Sequence, residues 1–203
     1  MRALQIFGPG EARLTDVPEP HAGLGEVRLR VGAASLCHTD VALKRDPASM
    51  GLPNLPLPMT IGHEFVGWVD EIGEGVTGID MGQLAAPLIS QGCGHCSACA
   101  RGQDNVCAKG FSAIGVHRDG GIAEHVVVPA THIIGAEGLD LGVASALTDA
   151  GLTAYHSVAL AHDVLRPGGW SVVIGCGGLG HVAVQLLART RGSRVIAVDT
   201  EQS

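Results

Sequence analysis

The sequence predicts a chain in two parts, a β-rich first part and a shorter α/β part that contains a parallel sheet. Short runs of β-forming residues, separated by glycine and proline, fill most of the chain up to residue 130. From residue 171 onward the order is strand, glycine-rich turn, helix and strand. Thirty glycines and ten prolines in 203 residues allow the many tight turns that such a first part needs.

The predicted strands of the first part are short, and turn residues separate them. They lie at 3–7, 12–17, 26–31, 64–72 and 122–128. Strands that recur about every 8–12 residues with turn signals between them are typical of a barrel or a sandwich.

The second part begins with two predicted helices, at 142–150 and 153–165, which are rich in alanine and leucine. A strand at 171–174, a helix at 181–190 and a strand at 194–199 then form a βαβ unit. Two strands and one helix leave one face of this sheet uncovered. We therefore expect the sequence to be a piece of a longer chain.

Charge and hydropathy exclude several classes of protein. A net charge of −7 disfavours a nucleic-acid binder, because such proteins are normally basic. No run approaches the ~18 uninterrupted apolar residues of a membrane span, and the first nine residues lack the apolar segment of a signal peptide. We expect a reducing, cytoplasmic location in which most of the six cysteines bind metal.

The sharpest motif is a set of four cysteines, Cys93-x2-Cys96-x2-Cys99-x7-Cys107. Four thiolates at this spacing can close a tetrahedron around one zinc ion and leave no position open for substrate. The spacing therefore predicts a structural zinc lobe at about residues 91–110. The alternative is a small disulfide framework or unrelated thiols, but nothing else in the chain indicates an oxidising compartment.

A glycine-rich turn follows the strand at 171–174 and fits G-x-G-x-x-G. It opens a helix, and an acidic residue, Asp199, follows its last glycine by 19 positions, which is the context that dinucleotide binding requires. Asp199 would bind the ribose hydroxyls and repel a 2′-phosphate, so NAD is favoured over NADP. The other interpretation is a structural glycine turn. The predicted cofactor-binding residues here are Gly175, Gly177, Gly178, Leu179, Gly180 and Asp199.

A second possible metal site involves Cys37 and His63, which are good zinc ligands. A lone cysteine or histidine is more often an ordinary core or surface residue than a metal ligand. Acidic residues stand close to both in the sequence, Asp40 after Cys37 and Glu64 after His63, and such residues can orient metal ligands.

By the identity and order of its motifs, this chain resembles the zinc-dependent medium-chain alcohol dehydrogenases. The motifs are Cys37-His-Thr-Asp, Gly62-His-Glu, the four cysteines and the glycine-rich turn. The resemblance covers all 203 residues and is closest to bacterial NAD-dependent secondary alcohol dehydrogenases. It implies a GroES-like zinc-binding catalytic domain over 1–150. It also implies the first βαβ unit of an incomplete Rossmann domain over 151–203.

The resemblance also implies a catalytic zinc ion bound by Cys37, His63 and Asp149, with a fourth position open. The family usually has a cysteine where this chain has Asp149, but a carboxylate is a legitimate zinc ligand. The alternative is that Asp149 only caps a helix and the catalytic zinc site is lost.

Further roles are implied position by position. Thr39 would accept the proton of the substrate alcohol, Asp40 would hold His63, and Glu64 would lie close to zinc. His38 would lie near the cofactor pyrophosphate and Thr153 would line the nicotinamide site.

The implied activity is the NAD-linked interconversion of small alcohols, secondary or apolar, with ketones or aldehydes. The implied partners are a small-molecule substrate and, for the full-length enzyme, further copies of the same chain; no nucleic acid or membrane is expected. One alternative is a truncated, non-catalytic zinc-binding fragment. Another is a relative that acts on polyols, aryl alcohols or thiol adducts.

Overall fold

The computed structural model describes residues 1–52, 55–110 and 112–200, which form two compact units, Met1–Thr148 and Asp149–Ser203. The strands are β1 Arg2–Gly8, β2 Glu11–Asp16, β3 Glu26–Ser35, β4 Met59–Thr60, β5 Glu64–Ile72, β6 Leu84–Pro87, β7 Ser90–Gln91, β8 Ser112–Ala113, β9 His125–Pro129, β10 Ile133–Gly135, β11 Trp170–Ile174 and β12 Arg194–Val198. The α-helices are α1 His38–Arg45, α2 Leu141–Ala146, α3 Leu152–Leu160 and α4 Gly180–Arg191.

The first unit is built around a five-stranded antiparallel sheet with the strand order β10-β6-β5-β3-β9. A three-stranded sheet (β2-β1-β4) and the β7-β8 pair complete it. Strand β9 alternates buried and half-buried residues, so Val126 and Val128 enter the core while their neighbours do not. The main core cluster consists of Val27, Leu29, Phe65, Val69, Ala85, Ile114, Val126 and Val128.

Of the two predicted arrangements of the first part, a barrel or a sandwich, the barrel is not formed by the residues that the structure describes. In the part of the chain that the structure describes, the strands form separate sheets, and the outer strands of the largest sheet, β10 and β9, do not pair with each other. Each sheet therefore keeps two edges, which closure would remove.

Predicted and observed strands agree best where the strand is long. Strand β5 has the predicted bounds. Strand β3 runs four residues past its predicted end because a bulge at Gly32 keeps it paired with β5, where a Cβ on Gly32 would meet the Trp68 ring at 2.7 Å. Strand β9 begins three residues late because Ile122 bonds instead to Leu4 and Ile61.

The second unit contains the predicted βαβ arrangement. Strands β11 and β12 pair in parallel from Trp170↔Arg194 to Ile174↔Val198, and α4 connects them. Helix α3 ends at Leu160, before the predicted end at residue 165, and a turn follows. The predicted helix at 142–150 is α2 followed by a π-helical turn, Leu147–Gly151. None of the described helices has the length and apolar character needed to cross a bilayer.

Candidate functional site

The four cysteines of the first unit lie together in a lobe that two 3-10 helices shape, Cys99–Arg101 and Asp104–Val106. The sulfur of Cys99 lies 3.5 Å from that of Cys96 and 4.0 Å from that of Cys93, and Cys96 and Cys107 are 3.9 Å apart. Zn–S bonds of 2.3 Å in a tetrahedron place sulfurs about 3.8 Å apart, whereas a disulfide requires about 2.05 Å. The spacing fits one zinc ion and no disulfide.

Backbone amides prepare part of this lobe for a cation. The N–H of Cys99, together with that of Ala108, lowers the pKa of Cys96 to about 6. The side chain of Asp104 and burial raise the pKa of Cys99 to about 12. Cys96 is therefore a thiolate, the form that binds metal, at neutral pH, while Cys99 needs a metal ion to lose its proton.

Two neighbours of the cysteines define the lobe further. A Cβ on Gly92 would meet the Cys99 sulfur at 2.5 Å and Asp104 Oδ1 at 2.7 Å, so only glycine leaves room for the ligand there. His95 is not placed as a ligand, because its Nδ1–H donates to the Cys93 carbonyl (2.6 Å) and its Nε2 accepts from Lys109 Nζ (3.0 Å).

The second candidate metal centre brings together Cys37, which precedes helix α1, and His63, which precedes strand β5. The Cys37 sulfur and a ring nitrogen of His63 lie within 4.8 Å of each other, close enough for one ion to reach both. Thr39 Oγ1 lies 3.7 Å from the Cys37 sulfur. His63 is buried, so its ring is fixed by protein contacts.

One buried carboxylate connects these two ligands. Asp40 is 1% exposed; its Oδ2 accepts the Cys37 N–H (2.9 Å) and its Oδ1 accepts the Gly62 N–H (3.2 Å). The same Oδ1 lies 3.3 Å from His63 Nδ1. This contact places a carboxylate on the Nδ1 side of the ring, so Nε2 is the nitrogen that we assign to a metal. Glu64, also buried, begins strand β5 beside His63.

Two predicted residues lie at the start of the second unit. Asp149 belongs to the π-helical turn Leu147–Gly151, and its Oδ1 accepts a hydrogen bond of 3.1 Å from Thr153 Oγ1. Thr153 is exposed on the first turn of α3. Asp149 is therefore not the N-cap of α3, which is Gly151.

The glycine-rich turn has the backbone that its sequence predicts. Gly175 has φ +88°, and a Cβ on Gly180 would collide with the Gly175 carbonyl. Cβ atoms on Gly177 or Gly178 would meet nothing within 4 Å, so the space above them is open to a ligand. Leu179 is the N-cap of α4, and the positive end of the helix dipole favours an anion here.

Asp199 reaches the same turn from the end of strand β12. Its Oδ2 accepts the N–H of Cys176 at 2.6 Å, and its Oδ1 accepts that of Thr200 at 2.6 Å. The acidic residue therefore supports the turn itself, a contact that the sequence pattern did not reveal. The sequence analysis also missed the backbone contacts around His63. A possible signal was the glycine directly before this predicted ligand, Gly62, whose φ is +101° in the structure.

Comparison with known proteins gives consistent matches. Residues 23–138 match the family model of the alcohol dehydrogenase GroES-like domain. An alcohol dehydrogenase of Geobacillus stearothermophilus is 38% identical over 191 residues, 92% of this chain and 54% of the relative. An NAD-dependent alcohol dehydrogenase of Sulfurisphaera tokodaii is 33% identical over 212 residues, 100% of this chain and 59% of the relative.

A solved structure agrees with these relatives. The crystal structure of the alcohol dehydrogenase from the hyperthermophilic archaeon Aeropyrum pernix matches with a TM-score of 0.90 at 34% identity, over 99% of this chain and 60% of the other. The chain thus spans a little over half the length of the curated relatives it matches.

Proposed function

Because the chain belongs to the alcohol dehydrogenase GroES-like domain family, we propose that it provides the metal sites and the first cofactor contacts of a zinc-dependent, NAD-linked oxidoreductase. The reaction interconverts small alcohols, secondary or apolar, with ketones or aldehydes. The observation that carries the proposal is the buried Asp40, which holds Cys37 and His63 at one point as metal ligands require.

The two metal centres have different roles in this proposal. Four thiolates at Cys93, Cys96, Cys99 and Cys107 leave no position for substrate, so their zinc is structural. Cys37, His63 and Asp149 are the proposed ligands of the catalytic zinc, with Asp149 assigned from its position in the family's sequence pattern. When bound there, zinc supplies Lewis acidity toward the oxygen of the substrate.

The chain's own side chains handle orientation and the proton. Asp40 lies on the Nδ1 side of the His63 ring, which leaves Nε2 for the metal. Thr39, whose hydroxyl lies 3.7 Å from the Cys37 sulfur, takes the proton of the alcohol. Ala42 stands where some family members have a relay histidine, so the proton leaves through water. Glu64 places a buried carboxyl group next to His63 in the chain.

The second unit contributes the proposed NAD site. The turn from Gly175 to Gly180 and the N-terminus of α4 offer backbone N–H groups to the pyrophosphate. Asp199 offers its carboxylate to the adenosine ribose and repels a 2′-phosphate, which favours NAD. His38 and Thr153 are the proposed contacts to the pyrophosphate and the nicotinamide, assigned from the family pattern.

We assign residues 1–150 to the GroES-like catalytic domain, with the structural zinc lobe at about 91–110, and residues 151–203 to the beginning of a Rossmann domain. The proposed location is the cytoplasm, which the free thiols of the described cysteines favour. The whole protein is proposed to be a homo-oligomer.

The experiment that tests the proposal compares Cys37→Ser with Cys176→Ser. Zinc per chain is measured together with NAD-dependent oxidation of small alcohols. The Cys37 variant is expected to lose one zinc and all turnover, while the Cys176 variant keeps both zinc ions. Unchanged activity and zinc content in Cys37→Ser would refute the ligand assignment.

A second candidate function is that this chain alone holds zinc without turnover. The favouring observation is an exposed apolar row on β11, in which Trp170, Val172 and Ile174 are 67%, 59% and 84% exposed. A parallel sheet normally has both faces covered. Titration with NADH separates the candidates, because the oxidoreductase binds NADH, more weakly after Asp199→Ala, and the zinc-binding fragment does not.

A further inference from the structure

We infer that the loop formed by residues 115–122 positions His63 for its metal. It does so by hydrogen bonding to, and packing closely against, the backbone of the three residues that precede His63, 60–62. This inference rests on the proposed function, because it takes His63 to be a ligand. In this role the loop acts on the backbone that carries the ring.

Hydrogen bonds join the two segments residue by residue. Asp119 Oδ1 accepts the N–H of Thr60 (2.8 Å), and the N–H of Gly120 donates back to the Thr60 carbonyl (2.8 Å). Gly121 N–H donates to the Gly62 carbonyl (2.8 Å), and Ile122 N–H donates to the Ile61 carbonyl (3.0 Å). Every residue from 60 to 62 is therefore bonded to the loop.

The loop approaches residues 61–62 so closely that Gly115 and Gly120 have no room for a side chain. A Cβ on Gly120 would collide with the Gly62 carbonyl oxygen, and would meet Gly115 Cα at 2.6 Å and the Ile61 carbonyl carbon at 2.8 Å. A Cβ on Gly115 would collide with the same Gly62 carbonyl. Backbone atoms cannot move aside as a flexible side chain can, so an added methyl group here displaces residues 61–62.

Gly62 is held from both sides as a result. Its N–H donates to Asp40 Oδ1 (3.2 Å) and its carbonyl accepts from Gly121. Its φ of +101° is strained for any residue with a Cβ. The peptide entering His63 is thus fixed between the carboxylate that touches the His63 ring and the loop, which makes Asp119 and Gly120 positioning residues.

The first test removes a bond without adding volume. Asp119→Ala loses the acceptor for the Thr60 N–H, whereas Asp119→Asn keeps an oxygen that can accept it. Cobalt(II) is added to the metal-free chain, and absorption of the Cys37–His63 site is read against that of the four-cysteine site in the same molecule. We expect cobalt binding at the Cys37–His63 site to be roughly tenfold weaker in Asp119→Ala and to recover in Asp119→Asn. Loss of a group that orients a metal ligand typically weakens metal binding about 10- to 100-fold, and Asp119 acts only through the backbone.

The second test adds volume at the closest approach. Gly120→Ala is compared with Gly8→Ala, since Gly8 also has an ordinary φ but a Cβ there meets nothing within 4 Å. We expect cobalt affinity at the Cys37–His63 site to fall about 10- to 100-fold in Gly120→Ala, with the four-cysteine site unchanged. Gly8→Ala is expected to match the wild type at both sites.

Nitrogen-15 resonances of the His63 ring in the metal-free chain separate this inference from the proposed function. If the wild type binds no cobalt at Cys37 and His63, the proposed metal site fails whatever the loop does. The loop inference is then judged on the resonances, which should shift in Asp119→Ala and return in Asp119→Asn. Resonances that are the same in all three proteins, or wild-type cobalt affinity in a folded Asp119→Ala, would overturn it.

Discussion

The two candidate metal centres are built in opposite ways. The four cysteines lie within 15 residues of one another in sequence, and local turns and 3-10 helices bring their sulfurs together. Cys37 and His63 stand at the ends of two different elements and meet through a buried aspartate. The first centre is specified by local spacing, the second by tertiary packing.

This difference predicts opposite dependence on metal. A lobe with little core of its own takes its folding free energy from the ion, as small zinc domains do. The Cys37–His63 centre is attached to a sheet whose core residues, such as Phe65 and Val66, are fully buried. Its geometry should therefore persist without metal.

The largest expected effect is that of Cys96→Ser. The lobe should lose its zinc, and amide hydrogen exchange across 93–107 should accelerate more than about 100-fold, because apparent zinc-binding free energies of roughly 10–16 kcal/mol support such folds. Amides of residues 60–64 should keep their protection. Mass spectrometry of exchange measures both, with Cys176→Ser as the control that keeps its zinc. A lobe that stays protected without zinc would remove the contrast between the centres.

The next effect is that of Asp40→Asn, which alters the tertiary centre alone. Metal affinity at Cys37 and His63 should fall about 10- to 100-fold, since a contact that orients a ligand is lost. The free energy of unfolding should fall by about 1–3 kcal/mol, because a buried hydrogen-bond group is left unsatisfied. Cobalt titration and denaturant unfolding measure the two effects.

The matched control for this prediction is Asp46→Asn. Asp46 follows the same helix, α1, and its Oδ1 accepts the Ala48 N–H, but it touches neither ligand. Equal losses of cobalt affinity in both variants would mean that Asp40 has no special role at the centre.

The smallest effect concerns the order of thiol reactivity in those metal-free molecules whose lobe is folded, because in an unfolded lobe all four thiols would share the ordinary pKa and react alike. Cys96, with a pKa of about 6, should react with iodoacetamide faster as the pH rises from 5 to 7, whereas Cys99, with a pKa of about 12, should remain a protonated thiol. The stabilisation from the amides that bond the Cys96 thiolate is present above the ordinary thiol pKa and is lost as the pH falls through about 6. Peptide mapping after brief labelling measures the order.

The variant that sharpens this prediction is Asp104→Ala. Removal of the side chain that hydrogen-bonds the Cys99 thiol should lower the pKa of that thiol and raise its labelling at pH 8. Faster labelling of Cys99 than of Cys96 in the wild-type protein would contradict the order of pKa values assigned to the two thiols.

The same contrast explains what the sequence could predict. The cysteine lobe and the βαβ unit follow local patterns, and both are confirmed as arrangements of the chain. Strand β5 was predicted to the residue because it is long and bounded by glycines. Strand β6 was missed because its four residues are all buried and show no alternation.

The tertiary centre was only partly predictable. Cys37 and His63 could be named as candidates from their residue types. The contact of Asp40 with Gly62 spans 22 residues, and that of Asp119 with Thr60 spans 59. No periodicity in a single sequence indicates pairs at such separations, so the loop that holds the His63 backbone emerged only from the fold.

The hydrogen bond between Asp199 and Cys176 has a consequence for attempts to redesign cofactor preference. A substitution that removes the carboxylate to admit a phosphorylated ribose would also leave the Cys176 amide of the glycine-rich turn without this acceptor. An ionised carboxylate offers about four lone-pair sites, so Asp199 has room for the turn and for the proposed ribose contact together. Exchange of the cofactor at this position is therefore expected to need a compensating second mutation that restores an acceptor for the turn.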